Sequence, residues 1–151
     1  MRRRFALAAL FGATALIAGC ASGPNYAEFS KTITPIKAGE GRVYFFRANS
    51  MMGAAVQPDI RLNSVVVGAS KPGGFFYVDR PAGSYTGASS TETEKTLSFA
   101  LAAGETKYVR TSPSFGVLVG RVNLELEDAA KAQAEIATLS YTGSTESPVK
   151  K

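Results

Sequence analysis

The run Gly41-Arg42-Val43-Tyr44-Phe45-Phe46-Arg47 constrains the fold more than any other stretch of the chain. Its β-branched and aromatic residues suit an extended backbone. Both of its parities are apolar, which predicts a strand covered on both faces. The runs that follow are short, rich in β-formers, and separated by Gly, Pro, Asn and Ser. They are Asp59 to Leu62, Val65 to Val67, Phe75 to Asp79, Ser84 to Ala88, Lys95 to Leu101 and Thr106 to Thr111. Asn63-Ser64, Lys71-Pro72-Gly73-Gly74, Pro81-Ala82-Gly83 and Ala103-Gly104-Glu105 are the expected turns. Lys95 to Leu101 alternates, with Leu97, Phe99 and Leu101 on one face. Phe115 to Glu127 is expected as one long strand, with Val122, Leu124 and Leu126 inward and Gly120 as a bulge or bend.

One helix is expected to close the domain. Asp128 is its N-cap candidate, because a carboxylate there can accept from unpaired backbone N–H groups. Ala129, Ala132, Ile136 and Leu139 fall on one face at helical spacing. Lys131 and Glu135 stand four apart on another, in the weaker order for an ion pair. Many short strands followed by one helix predict a mainly β chain, an antiparallel β-sandwich with one short C-terminal helix, over residues 41–141. The polar residues 142–151 are expected as a disordered tail.

The N-terminus carries a different kind of information. Arg2, Arg3 and Arg4 precede an apolar and small-residue run from Phe5 to Gly19, and Cys20, the only cysteine, closes it. This layout is a secretory signal over residues 1–19. The apolar run is shorter than the roughly 20 residues needed to span a bilayer. Leu16-Ile17-Ala18-Gly19-Cys20 resembles the bacterial lipoprotein box, in which cleavage falls between the residues equivalent to Gly19 and Cys20. The resemblance implies that the Cys20 sulfur takes a diacylglycerol and that Cys20 becomes the first mature residue, a fatty-acylated membrane anchor. Ala21 follows, not the Asp that usually retains such proteins at the inner membrane, so the resemblance implies the outer membrane, within the cell envelope and facing the periplasm or the surface. Residues 20–40 are expected as a lipid-anchored tether, with Tyr26, Phe29 and Ile33 partly packed onto the domain.

Loss of the leader removes three of the 17 basic residues, leaving 14 against 12 acidic ones, a net charge of +2. The computed pI near 9.5 thus owes much to the leader, and no basic stripe of the kind that holds nucleic acid remains. The chain contains no His and no Trp. Ser/His/Asp and Cys/His catalysis therefore lack a base, and zinc lacks its usual nitrogen and sulfur ligands. The calcium loop Asp-x-Asp-x-Asp-Gly and the phosphate loop Gly-x-x-x-x-Gly-Lys are both missing. No cofactor is expected. Glu92 and Glu94 suit a solvated face. Asp59 and Asp79 are the carboxylates a glycosidase would need by type, and each equally suits a strand end. Tyr44, Phe46 and Phe76, with Tyr77 as a further candidate, form an aromatic set expected in the core, the alternative being a binding face. Arg47 shares parity with Val43 and Phe45 and is expected to be partly buried, as an ion pair with Asp59 or Asp79 or, failing that, an anion site.

The stretches Gly41 to Arg47, Asp59-Ile60-Arg61-Leu62-Asn63, Val65-Val66-Val67-Gly68, Phe76-Tyr77, Pro81-Ala82-Gly83-Ser84-Tyr85 and Ala103-Gly104-Glu105 occur in that order. Together they resemble an uncharacterised family of proteobacterial lipoproteins whose domain is similar to the PEGA type of small β-sandwich. The resemblance implies hairpins and turns, and no activity or ligand. The function expected is a lipid-anchored envelope module that binds or assembles with another envelope protein, using open sheet edges. The alternative is an envelope hydrolase or accessory enzyme acting on peptidoglycan. A convergent carboxylate pair in a cleft would favour the enzyme, and an exposed, uncharged strand edge the binding module.

Overall fold

A computed structural model describes residues 21–143. The leader and Cys20 lie outside these residues, as does the tail from 144 onward. The chain begins with a single helical turn, α1 (Tyr26–Phe29), capped by the Asn25 side chain and continued as a 3-10 turn over Ser30–Thr32. Eight strands follow: β1 (Glu40–Phe46), β2 (Asp59–Leu62), β3 (Val65–Ala69), β4 (Gly74–Pro81), β5 (Gly83–Ser90), β6 (Glu94–Leu101), β7 (Thr106–Ser114) and β8 (Arg121–Leu126). Helix α2 (Ala129–Ile136) and a two-residue strand β9 (Ser140–Tyr141) complete it.

The strands form a sandwich of two sheets, ordered β8-β7-β1-β4-β9 and β3-β2-β5-β6. The four-stranded sheet is antiparallel throughout. The five-stranded sheet is mixed, because β1 runs parallel to β7 and β4 parallel to β9. Strand β1 sits at its centre, and six of its seven residues are buried. Its two apolar parities feed two separate cores. Val43 and Phe45, with Phe76, Val78, Val109 and Leu124, face the other sheet and meet Ile60, Leu62, Val67, Phe99 and Leu101. Phe45 and Phe76 are cross-strand partners with stacked rings 5.1 Å apart.

The opposite parity, Tyr44 and Phe46 with Phe75 and Tyr108, is covered by Ala132, Ile136 and Leu139. Tyr26 and Phe29 complete that cover from the N-terminal side, both meeting Phe75 edge-on. The expected aromatic set is thus split by strand alternation, with Phe76 between the sheets and Tyr44, Phe46 and Tyr77 on the helical side.

Several local expectations are met. Asn63 and Ser64 both take positive φ, 48° and 69°, which matches the right-handed twist of a two-residue hairpin. Asp128 caps α2 by accepting from the N–H groups of Ala130 and Lys131. Val122 and Leu124 are buried.

Others are corrected. The strand expected from Phe115 to Glu127 exists only from Arg121, because residues 115–120 form the loop between β7 and β8. Leu126, expected inward, is 46 % exposed at the end of β8. Ala129 is exposed at the start of α2. Glu135 is drawn away from Lys131 by Arg110, whose Nη2 lies 2.5 Å from its carboxylate. Thr142, expected in a disordered tail, donates its N–H to the Phe75 carbonyl at 2.9 Å, extending the pairing of β9 with β4.

Candidate functional site

Cys20 and Gly19, the expected lipidation and cleavage residues, lie outside the described residues. Ala21, the next residue, is held in place: its N–H donates to the Pro72 carbonyl at 3.2 Å. Which end of the sandwich that is follows from the strand register. Strands β1 and β7 are parallel and finish at Phe46 and Ser114, while β4 starts there, with Phe75 opposite Phe46. The loops 47–58 and 115–120, the turn at Pro72-Gly73 and the N-terminal attachment point therefore share one end. The other end holds the starts of β1 and β7 and the finish of β4, and carries Lys37, Glu40, Glu105 and Lys107.

Arg47 follows β1 directly and is 1 % exposed. Its Nη1 donates to the carbonyls of Val56 (2.7 Å) and Ser70 (3.1 Å), and Nη2 to that of Gly53 (2.7 Å). Among the described residues its Nε meets no hydrogen-bond acceptor, and burial pushes its pKa down. Neither expected carboxylate is its partner. The β1–β4 register places Asp79 opposite Arg42 instead. Loop 47–58 folds back over Arg47 and supplies two of its three acceptors, so the guanidinium pins that loop to the sandwich.

Arg42 makes the ion pair. Its Nε and Nη2 donate to the two Asp79 oxygens at 2.7 and 2.8 Å, and Nη2 also reaches the Thr34 carbonyl at 2.8 Å. The guanidinium lies 4.2 Å from the centre of the Tyr77 ring. The bond to Asp79 raises the arginine pKa against the opposing cost of burial. The two-pronged pair joins β1 to β4 within the five-stranded sheet, and the bond to Thr34 ties the N-terminal segment to it. Asp59, the other glycosidase candidate by type, is exposed at the start of β2 in the opposite sheet. Burial pushes the Tyr44 hydroxyl up to about 12, so it stays protonated at neutral pH. Among the described residues, no group of three or more His, Cys, Asp or Glu could hold a metal ion. No helix there is long and apolar enough to cross a membrane.

Among the described residues, the loop 115–120 gathers the most exposed of the large apolar side chains. Phe115, Val117 and Leu118 are 89, 84 and 87 % exposed. Val119 and, on the adjoining loop, Met51 and Met52 are exposed as well. A cleft of about 260 Å³ separates the two loops, with Met52 and Val56 on one wall and Leu118 and Val119 on the other. An exposed apolar cluster rimmed by polar residues commonly marks an interaction surface.

The loop has a defined internal structure. Glu92, in the β5–β6 turn, accepts from the N–H groups of Val117 and Leu118 at 2.8 Å each and of Val119 at 3.4 Å. Arg121 Nε binds the same carboxylate at 3.1 Å. A Cβ on Gly116 would come within 1.9 Å of the Glu92 Oε1, so only glycine lets the carboxylate in. Gly120 closes the loop with φ of +99°, a conformation that favours glycine. Three N–H groups turned toward a carboxylate cannot also pair with a neighbouring strand, which is why the expected strand fails here. Glu92, read from the sequence as solvated, is the organising residue. The available signal was the apolar stretch Phe115-Gly116-Val117-Leu118-Val119 followed by Gly120.

These bonds, that from Leu118 foremost, hold the Glu92 pKa below the ordinary 4.5. A carboxyl group with a depressed folded pKa contributes order above its unfolded pKa and loses it as pH falls through the folded value. Glu92→Ala is therefore expected to speed amide hydrogen exchange at residues 117–119 at neutral pH. In the wild type the same protection should fade only below pH 4.5. Equal exchange in the two proteins at neutral pH would show that Glu92 does not order the loop.

A two-sheet β-sandwich with one sheet covered by helical segments, and with its apolar loops gathered beside the N-terminal attachment point, is the class of domain these observations define. A family model described as "Protein of unknown function (DUF2846)" matches residues 37–122. The chain belongs to this family, and the match runs from just before β1 into the start of β8. An uncharacterized protein of Haemophilus influenzae is 29 % identical over 147 residues, covering 93 % of this chain and 86 % of that protein. No solved structure matches the chain.

Proposed function

We propose that this protein is a lipid-anchored, non-enzymatic module of the bacterial envelope. It is held at the outer membrane through Cys20 and binds an extended segment of an envelope protein by strand addition. The lipobox-like Leu16 to Cys20, the basic leader and Ala21 support the anchor and its location. The commitment of Asp79 to Arg42, and a chain without histidine, support a role without catalysis.

The observation that carries the binding mode is the edge strand β3. Each sheet has two edges. Strand β8 bears Arg121 and Glu125, β6 bears Glu94 and Lys95, and β9 is only two residues long. Strand β3, Val-Val-Val-Gly-Ala, has no charged residue, and Val65 and Val66 are 60 and 38 % exposed. Unpaired N–H and C=O groups on an uncharged edge form a template for another strand. The irregular register between Ile60 and Arg61 keeps the template short, which limits pairing between copies.

A photoactivatable residue at position 65, in intact cells, is expected to capture one defined envelope segment. The same residue at position 125, on the charged β8 edge, is expected to capture none. Adding Val66→Lys should abolish capture from position 65, because an edge lysine opposes strand pairing. Its effect on stability should stay within about 0.5 kcal/mol, as for most surface changes. Equal capture from positions 65 and 125 would overturn the assignment of the edge.

A further inference from the structure

We propose that the loop end of the sandwich docks directly on the bilayer that holds Cys20. Phe115, Val117, Leu118 and Val119, with Met51 and Met52 beside them, enter the lipid. The inference rests on the lipid anchor of the proposed function and adds a second membrane contact to it.

Position is the first argument. Ala21 is bound to the Pro72 carbonyl at the end that carries both apolar loops. Cys20 is joined to Ala21 by one peptide bond, so its lipid is attached at that end. Neither a flexible spacer nor a turn of the domain is needed to bring the loops to the membrane. The opposite end, with Lys37, Glu40, Glu105 and Lys107, then faces water.

Chemistry is the second argument. From Phe115 to Gly120 no side chain can form a hydrogen bond. Protein-binding hot spots favour Trp, Tyr and Arg, whereas this run is aliphatic with one Phe and suits hydrocarbon. Irregular backbone is costly in lipid because its polar groups lack partners. Glu92 satisfies three N–H groups at the tip of the loop, and Arg121 balances its charge. The loop thus offers an apolar exterior over a backbone in which three successive donors are already paired.

A diacylglycerol already supplies the two acyl chains that lasting attachment takes, so contact through the loops adds a signal of another kind. Here that signal restricts the domain to one orientation. It leaves the β3 edge on the flank of the sandwich, open to a partner, because the membrane contacts lie on the loops at its end.

The chain has no tryptophan, so Phe115→Trp provides a single reporter, and the high exposure of Phe115 means that the core is undisturbed. The lipidated full chain, purified from cells, would be reconstituted in phosphatidylethanolamine–phosphatidylglycerol vesicles with brominated acyl chains. Lys37→Trp, at the opposite end, is the control. Emission from position 115 is expected to shift to shorter wavelength and to lose more than half its intensity to the brominated chains. Emission from position 37 should do neither. Adding Leu118→Asp should restore most of the emission at position 115.

Flotation with the vesicles but unquenched emission at both positions would overturn docking and leave the anchor standing. Failure of the wild type to float would overturn the anchor itself. A concentration-dependent shift at position 115 without quenching would assign the loops to a second copy of the chain. A shift seen only with added envelope protein would assign them to a protein partner. Either of these results overturns the lipid assignment.

Discussion

Leu124→Ala should destabilise the domain far more than Asn123→Ala. Leu124 is buried in the core between the two sheets, and its neighbour Asn123 points to the other face of β8. The side chain closes the sandwich where β8 passes over the four-stranded sheet. A Cβ built on Gly87 of β5 would lie 3.3 Å from the Leu124 Cδ2. Ser89 of the same strand donates to the Val122 carbonyl. These contacts leave little room for collapse around a truncated residue 124. The loss should therefore fall at about 3–5 kcal/mol, the upper part of the range for buried leucine. Asn123→Ala should stay within about 0.5 kcal/mol. Urea denaturation followed by circular dichroism measures both. A register slip of one residue would exchange the two faces, so equal midpoints would show that β8 is wrongly placed.

The parts of the fold legible in the sequence are those that depend on near neighbours. Two apolar parities in Val43 to Phe46 are enough to place β1 between two layers. Alternation in Leu97, Phe99 and Leu101 marks the inner face of β6, and Asp128 marks the start of α2. Each of these signals lies within a few residues of the element it defines.

What escaped reading depends on partners distant in sequence. Residues 115–119 are good strand formers, and nothing local opposes a strand. The deciding partner, Glu92, is 25 residues before Val117. Arg47 was expected to need a carboxylate because it is buried. It meets three backbone carbonyls instead, and carbonyls leave no trace in the residue types that supply them. The parallel pairing of β1 with β7 is hidden for a similar reason, since both strands would alternate identically in either direction. The candidate surface was legible as composition, an apolar stretch with glycines, but not as a loop, and its position beside the chain's N-terminal attachment emerges only from the register of β1, β4 and β7.

Cys20→Ser should have the largest effect of any single substitution on where the protein resides. The thioether to diacylglycerol forms from a thiol, and a serine hydroxyl is a poor nucleophile beside it. The variant should therefore take up no fatty-acid label and should keep residues 1–19. The retained apolar run Phe5 to Gly19 would itself hold that precursor at the membrane, so only a chain freed of its leader depends on the loop end alone for membrane contact. Each methylene buried in lipid contributes about 0.8 kcal/mol, and even a whole myristoyl chain gives only marginal, reversible binding. Four to six loop side chains of partial depth should do no better than that chain. A serine variant cut by signal peptidase, or a chain truncated to begin at Ala21, should thus wash from membranes while keeping its fold, since its cores are built from residues between Tyr26 and Tyr141. Metabolic labelling with a radioactive fatty acid, followed by membrane flotation, separates the two contributions. Persistent label on the serine variant would remove the lipoprotein assignment. Loss of label with full retention of the truncated chain on vesicles would instead make the apolar loops the principal anchor.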